Sequence, residues 1–354
     1  MSASIEDVAK LAGVSIATVS RSLRGLPDVA AATRDKVLAA AQELDYVASP
    51  FAARLASGRS STLGVVVPFV NRWFFAEVLG AVESVLSAAG YDLLLHNLGD
   101  SLGRERCFSV LPVRKRVDAV LVVSLALTDD EVAALNTLEL PVGVLGVKHP
   151  GLSSVRIDDE AAARTAVEHL LSLGHRRIAL IGGDTDDPMR FTPPHHRGIG
   201  YRKAMQAAGI TPPEGLERLG YFTVEGGEAA MLHLLQLGER PTAVFAESDE
   251  MAYGAIRAIR RSGLRVPEDI AVIGFDDHAT ADLMDLTTIR QPVGEQGALL
   301  AQSLLTALVK DSEPTDVVLE TELIVRGSTV ASASVYADPP QPVDDAPCEP
   351  PDRS

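Results

Sequence analysis

The sequence predicts an all-α head followed by an α/β body of two parallel-sheet lobes. Three observations carry this. The first 25 residues hold two short amphipathic helices around a glycine. From Thr62 onward, apolar strand-like runs alternate with helical ones. That alternation occurs twice in series, which calls for two sheets, each covered by helices on both faces. At 354 residues the chain has room for both parts.

The head opens with SIEDVAKLAGVSIATVSRSLRG, Ser4 to Gly25. Ser4 can cap a first helix, with Asp7 as its capping-box partner three residues on. Val8, Ala9 and Ala12 share one face. Gly13 supplies the turn, where a residue without Cβ is least restricted. Ser15 can cap a second helix, whose Val19 points back at Val8 and Ala9. Ile16, Ala17, Ser20 and Arg21 then form the opposite, exposed face. Two helices held at a fixed angle by a tight turn make a helix-turn-helix, whose second helix fits the major groove of DNA. A third helix is expected from about Ala32 to Leu44, with Val37, Leu38, Ala41 and Leu44 apolar at helical spacing. Residues 46–62, YVASPFAARLASGRSST, contain a short alanine-rich segment behind Pro50, which suits the first helical position. That helix is too short to persist alone. Leu55 within it reads either as a wedge between base steps of a minor groove or as a stray apolar residue in a linker.

Charge refines this picture. The net charge is −16, but residues 1–60 carry seven Lys/Arg against six Asp/Glu. The acidic excess therefore belongs to the body and tail. Phosphate repels such a body, which limits non-specific DNA binding. No apolar run approaches a bilayer span, and no basic head precedes an apolar core as in a secretory signal. Cys107 and Cys348 give neither metal spacing nor a disulfide framework. A cytoplasmic protein with reduced thiols is expected.

The body begins with the strand TLGVVVPF. A helix over 74–89 ends at Gly90, and the strands YDLLLHNL, VDAVLVVSL and PVGVLGV follow. After SSVRID come helix 160–173, strand RRIALIGG, helix 197–209, strand ERLGYF, helix 226–237, strand AVFAES, helix 250–262 and strand IAVIGF. TTIRQP and LETELIVRGS read as segments crossing between lobes. Open α/β sheets bind ligands beyond the carboxyl ends of their strands. Residues at those ends are therefore candidates: Phe74 and Phe75, Asp158, Arg197 at the start of its helix, Phe222, Asp249, Asp276 and Gln291. An arginine fork opposed to carboxylates suits a polyol or a carboxylate ligand.

Other chemistry finds little support. His195 and His196 are adjacent without nearby Cys or spaced acids, so metal binding is not expected. IGGDTDD is not a dinucleotide fingerprint. Asp276 and Asp277 are neighbours rather than a converging acid pair. His175 reads as a turn-orienting residue. No cofactor, metal site or catalytic residue is expected.

IEDVAKLAGVSIATVSRSLRG, TRDKVLAAAQELDYV and AARLASGRSSTLGVVVP, in that order, resemble the LacI-type family of transcriptional regulators. The resemblance continues through DDEAAARTAVEHLLSLGHRRIALIGG, VPEDIAVIGFDD and TTIRQP, and covers residues 4 to about 330. It implies a head that binds a palindromic double-stranded operator as a homodimer, and hinge helices that form on DNA with Leu55 wedged at the centre. It also implies a periplasmic-binding-protein-like body with a small-molecule effector, a sugar or sugar derivative, in the cleft between lobes. Arg197 and Asp276 match the family's effector-binding positions. The DNA-contacting set implied is Ser15, Ile16, Ala17, Thr18, Ser20, Arg21, Arg24 and Leu55. Ile16 and Ala17 can meet thymine methyls but cannot read hydrogen-bonding edges. Arg21 can take either a guanine or a phosphate. Ser49, Pro50, Ala30, Arg24, Arg72, Trp73 and Ser248 depart from the family pattern.

The implied organisation is a head over 1–48, a hinge over 49–61 and a body over 62–336. Lobe 1 takes about 62–158 and 292–318, and lobe 2 about 160–289 and 320–336. Residues 337–354, rich in Pro and Asp, read as a disordered tail without a tetramerising heptad. A dimer through the 74–89 helix is therefore expected. The function implied is an effector-responsive repressor. A small-molecule sensor without operator control is the alternative.

Overall fold

The computed structural model describes residues 3–23, 28–46, 60–110, 113, 115–310 and 313–330. Arg24, Leu55, most of the expected hinge and the expected tail lie outside these residues.

The head comprises α1 (Ile5–Ala12), α2 (Ile16–Leu23) and α3 (Ala31–Glu43). Ser4 Oγ accepts from Asp7 N, and Asp7 Oδ2 accepts from Ser4 N at 2.8 Å, so both halves of the capping box form. Gly13 takes φ +67 and closes α1. Ser15 Oγ accepts from Thr18 N at 3.1 Å and starts α2. Val8, Ala9, Val19, Val37, Ala40 and Ala41 form the small core. Leu38 departs from expectation: it is 47% exposed, because Ala40 rather than Leu38 shares the buried stripe with Val37 and Ala41. Ala30 gives α3 no side-chain cap.

The body divides into two compact units, residues 1–154 with 297–316, and residues 155–296 with 317–354; the first also holds the head. The first sheet runs in the order β11-β5-β4-β3-β1-β2. Its strands are β1 (Thr62–Val67), β2 (Asp92–Asn97), β3 (Ala119–Val123), β4 (Val142–Leu145), β5 (Ser153–Ile157) and β11 (Asp316–Leu319). β1 pairs in parallel with β2 and β3, and β3 with β4. Every residue of β1, β3 and β4 is buried, as strands covered on both faces require. The helices of this part are α4 (Trp73–Ala88), α5 (Ser101–Val110), α6 (Asp129–Asn136) and α12 (Val293–Ala307). Asp118, 8% exposed, receives Ser60 N at 2.7 Å, Ser60 Oγ at 2.9 Å and Ser61 N at 2.8 Å. The chain is thereby pinned where it enters β1. Burial pushes the Cys107 thiol up to about 11, so it stays protonated at neutral pH.

The second sheet runs β12-β10-β9-β8-β6-β7. Its strands are β6 (Ile178–Gly182), β7 (Glu217–Leu219), β8 (Ala243–Ala246), β9 (Ala271–Asp276), β10 (Thr287–Arg290) and β12 (Glu322–Ile324). β6 through β10 pair in parallel, and β12 adds antiparallel to β10. TTIR is thus a strand of this sheet rather than a crossing segment. LETELIVRGS does pass from one sheet to the other, supplying the last residue of β11 in the first and all of β12 in the second. Runs this short cannot be told from a linker by pattern alone. The associated helices are α7 (Asp159–Ser172), α8 (Pro193–Ala207), α9 (Val224–Leu235), α10 (Asp249–Arg261) and α11 (Ala279–Leu283).

α9 and α10 pack unusually close. A methyl group on Gly227 would land on the Met251 carbonyl, and one on Gly254 on the Val224 carbonyl. Overpacking a rigid contact of this kind costs about 1–3 kcal/mol. Gly254→Ala is therefore expected to lower the urea midpoint of the body by a corresponding amount, read by circular dichroism at 222 nm. An unchanged midpoint would mean that the helices can part freely.

Candidate functional site

The carboxyl ends of β9 and β10 and the first turns of α8 bring three of the candidates, Arg197, Asp276 and Gln291, together within the second unit. Arg197 does not open its helix. Pro193 and Pro194 occupy the first turn, where a missing N–H costs nothing. Arg197 therefore sits one turn further in and is 4% exposed. Its Nε donates to Asp159 Oδ1 at 2.7 Å, and Nη1 donates to the Glu247 carbonyl oxygen. Nη1 also lies 4.0 Å from Asp276 Oδ1. The guanidinium stacks over the Phe275 ring, 3.6 Å from its centroid.

Asp276 ends β9 with φ +117, and Asp277 follows with φ +58, conformations that a non-glycine residue holds only under constraint. Asp276 Oδ1 receives Gln291 Nε2, and Gln291 Oε1 in turn receives Gln296 Nε2 at 3.1 Å. Both Asp276 and Gln291 are 5% exposed. Asp277 is consumed structurally, accepting from Arg290 at 2.7 Å and Arg326 at 2.8 Å.

The remaining candidates separate. Asp158 is exposed, and its Oδ1 accepts from Ala161 N at 3.0 Å, so it caps α7. Its neighbour Asp159 is the one that meets Arg197. Asp249 is fully buried and accepts from His278 N at 2.8 Å and Thr288 Oγ1 at 2.6 Å; it braces β9 and β10. Phe222 is half-buried with φ +55, edge-on to Phe191 at 5.2 Å. Phe74 and Phe75 belong to the first unit. Phe75 is 1% exposed and forms core, while Phe74 is half-buried, edge-on to Phe75 at 5.3 Å.

Sequence reasoning misses four residues: Asp159, Glu247, Glu250 and His278. Asp158 hides Asp159, since it has the same side chain at the strand end. The other three lie in the tetrapeptides ESDE and DDHA, next to residues already chosen, and only the fold reveals their shared direction. Burial raises the Glu247 carboxyl to about 8, against the opposing pull of Gly183 N–H and Arg197. Burial and the charge of Asp276 raise Asp249 to about 7. Burial also raises Glu250. For His278 burial favours the neutral ring, but Asp276, Glu250 and Asp249 outweigh it and raise its pKa.

In the head, Ile16 is 46% exposed, Ala17 and Arg21 are exposed, and Ser20 is half-buried. Thr18 Oγ1 is engaged by Ser15 Oγ at 2.9 Å. Arg21 lies 3.6 Å from Asp28, both ends 55% exposed. So exposed a pair contributes little and can open readily.

Residues 4–49 match the family model described as bacterial regulatory proteins, lacI family. Residues 167–329 match that of a periplasmic binding protein-like domain. The HTH-type transcriptional regulator CelR of Thermobifida fusca is 38% identical over 337 residues, 92% of this chain and 97% of that protein. The chain belongs to the LacI family. This LacI-family chain is also 36% identical over 338 residues to the HTH-type transcriptional repressor CytR of Escherichia coli strain K12, covering 93% of this chain and 97% of that protein. Among solved structures, the Lac repressor dimer bound to operator and the anti-inducer ONPF superposes with a TM-score of 0.84. It is 29% identical and covers 94% of this chain and all of that one. A CelR–cellobiose complex gives 0.69 at 36% identity, covering 92% and 99%. The protein is a DNA-binding transcriptional regulator of this family. No helix among the described residues is long and apolar enough to cross a membrane.

Glu247 sets a pH dependence for the second unit. Its carboxyl ionises near pH 4.5 when unfolded and near 8 when folded. Between those values the native state binds more protons, so stability falls as pH rises, by at most about 1.4 kcal/mol per pH unit. Glu247→Gln removes this loss. The variant is expected to gain on the wild type steadily from about pH 5.5 to about 7.5 in urea unfolding. A constant difference across that range would contradict a proton on buried Glu247.

Proposed function

We propose that this regulator is a repressor that grips a two-fold symmetric operator with the paired heads of a homodimer. A small hydroxylated effector, a sugar or sugar derivative, binds at the carboxyl ends of the second sheet's strands and alters that grip. The observation that carries this reading is the convergence of Asp276, Gln291 and Arg197 beyond the carboxyl ends of β9 and β10, with Arg197 stacked on Phe275. Carboxylate and amide groups in fixed orientation discriminate ring hydroxyls. Cellobiose in the CelR complex agrees with this ligand class. Phe222 is the apolar wall we assign on this unit. Asp249 supports from behind and does not meet the ligand. The role is binding rather than catalysis, in the cytoplasm.

In the head, Ile16 and Ala17 are assigned to thymine methyls or the groove wall. Thr18, Ser20 and Arg21 carry polar contacts, Ser15 presents the α2 N-terminus to phosphate, and Arg24 lies beyond α2. Leu55 wedges the central minor-groove step.

The test is operator binding by fluorescence anisotropy at fixed salt, on DNA upstream of the protein's own gene, with a panel of mono- and disaccharides. One sugar is expected to shift operator affinity. Asp276→Asn, which preserves shape, should move the midpoint of that sugar's effect about tenfold or more, equivalent to about 1.4 kcal/mol. Its sugar-free operator affinity should stay unchanged. An unaltered sugar midpoint would remove Asp276 from the site. Separately, Leu55→Ala should weaken operator binding more than binding to random DNA; equal losses would rule out the wedge.

A further inference from the structure

Beside Asp276 three metal-ligand side chains converge from separate elements: Glu250 from the first turn of α10, Asp276 from the end of β9, and His278 from the turn before α11. His278 Nε2 lies 3.6 Å from Glu250 Oε2 and 3.7 Å from Asp276 Oδ2. All three ligand atoms fall within 4.8 Å of one another. Imidazole nitrogen and carboxylate oxygen bind zinc at about 2.0–2.2 Å, and two such ligands of a tetrahedral ion stand about 3.4 Å apart. The two measured separations from His278 are within tenths of an ångström of that spacing.

The surroundings fit a cation in two further ways. The Asp276 carboxylate is oriented from outside the trio. It gives its other oxygen, Oδ1, to Gln291 and the vicinity of Arg197, which leaves Oδ2 on the His278 side. Partners of this kind are what hold a metal-binding carboxylate in place. Asp249 fixes the backbone of His278 at its N–H. The trio also sets two carboxyl groups, from Glu250 and Asp276, against a single imidazole. A divalent ion offsets such an excess directly.

We propose that Glu250, Asp276 and His278 form a binding site for a divalent transition-metal ion of zinc type. One histidine and two carboxylates suit such an ion, and three protein ligands leave a position open for water or for a ligand oxygen. The site shares Asp276 with the effector pocket proposed above, but its test uses no effector and no DNA.

The experiment is isothermal titration of ZnCl2 into the full-length, chelator-treated and dialysed protein at about pH 7.5, where the metal can displace an imidazole proton to the buffer. One saturable equivalent is expected. His278→Ala should abolish it, and Glu250→Gln should weaken it at least about tenfold. Glu250 is 23% exposed at its side chain and glutamine has its shape, so this variant keeps the fold even where His278→Ala does not. A double variant, His195→Ala with His196→Ala, removes the exposed adjacent imidazoles and should bind as the wild type does. Absence of saturable binding would overturn the proposal. So would zinc binding that survives Glu250→Gln unchanged, or that disappears with His195 and His196.

Discussion

The buried guanidinium of Arg197 is the interaction on which the second unit depends. A charge that is 4% exposed must find its solvation inside the protein. It does so by drawing on separate elements: Asp159 from α7, the Glu247 carbonyl beyond β8, and Asp276 and Phe275 from β9. The arginine itself comes from α8. One side chain therefore ties two helices to the ends of two adjacent strands. Removing one partner of such a group costs far more than the group contributes when intact, because the other charges stay behind. Conservative changes at Asp276 and Gln291 thus report on ligand binding more cleanly than truncation of Arg197.

The same arrangement explains the perturbed carboxyls. Arg197 supplies one positive charge to a region holding several acids, and His278 supplies another only when protonated. Glu247 and Asp249 respond by holding protons up to about 8 and about 7. The two serve different structural ends. Glu247 receives Gly183 N–H at 2.9 Å and fills space that forbids any side chain at Gly182. Asp249 joins the His278 backbone to Thr288. Tight packing and electrostatic pressure are thus concentrated at one end of the second sheet.

Legibility from sequence followed the physics of each feature. Cap chemistry is local, so Ser4, Asp7, Gly13 and Ser15 can be placed from spacing alone, and the structure has each in that role. Long apolar runs mark the central strands and the alternating α/β order. Short edge features do not announce themselves: β10 and β12 have four and three residues, below the length at which alternation is informative. Among site residues, strand-end position selects Asp276 and Gln291, and the family resemblance selects Arg197; the three converge. Strand-end position also selects Asp158 and Asp249, which cap and brace. A carboxylate after a strand has two occupations, capping the next helix or facing outward beyond the sheet, and sequence position is common to both. Whether Asp158 or Asp159 meets Arg197 is set by one step of roughly 100° around the helix, which only the fold reveals.

The start of the body, at Ser60 and Ser61, rests on a different carboxylate. Asp118 accepts three hydrogen bonds from Ser60 and Ser61, while its own N–H donates to Thr62 O at 2.7 Å. Ser61 O also receives Asp92 N at 2.8 Å, and Ser61 holds φ +47. The backbone at Ser60 and Ser61 is therefore bound to the starts of β1, β2 and β3 together. No slack remains at this point, so the direction in which the chain passes residue 60 follows the first sheet itself. Slack at this point would let the chain leave the first sheet in many directions; the hydrogen bonds at Ser60 and Ser61 leave it one.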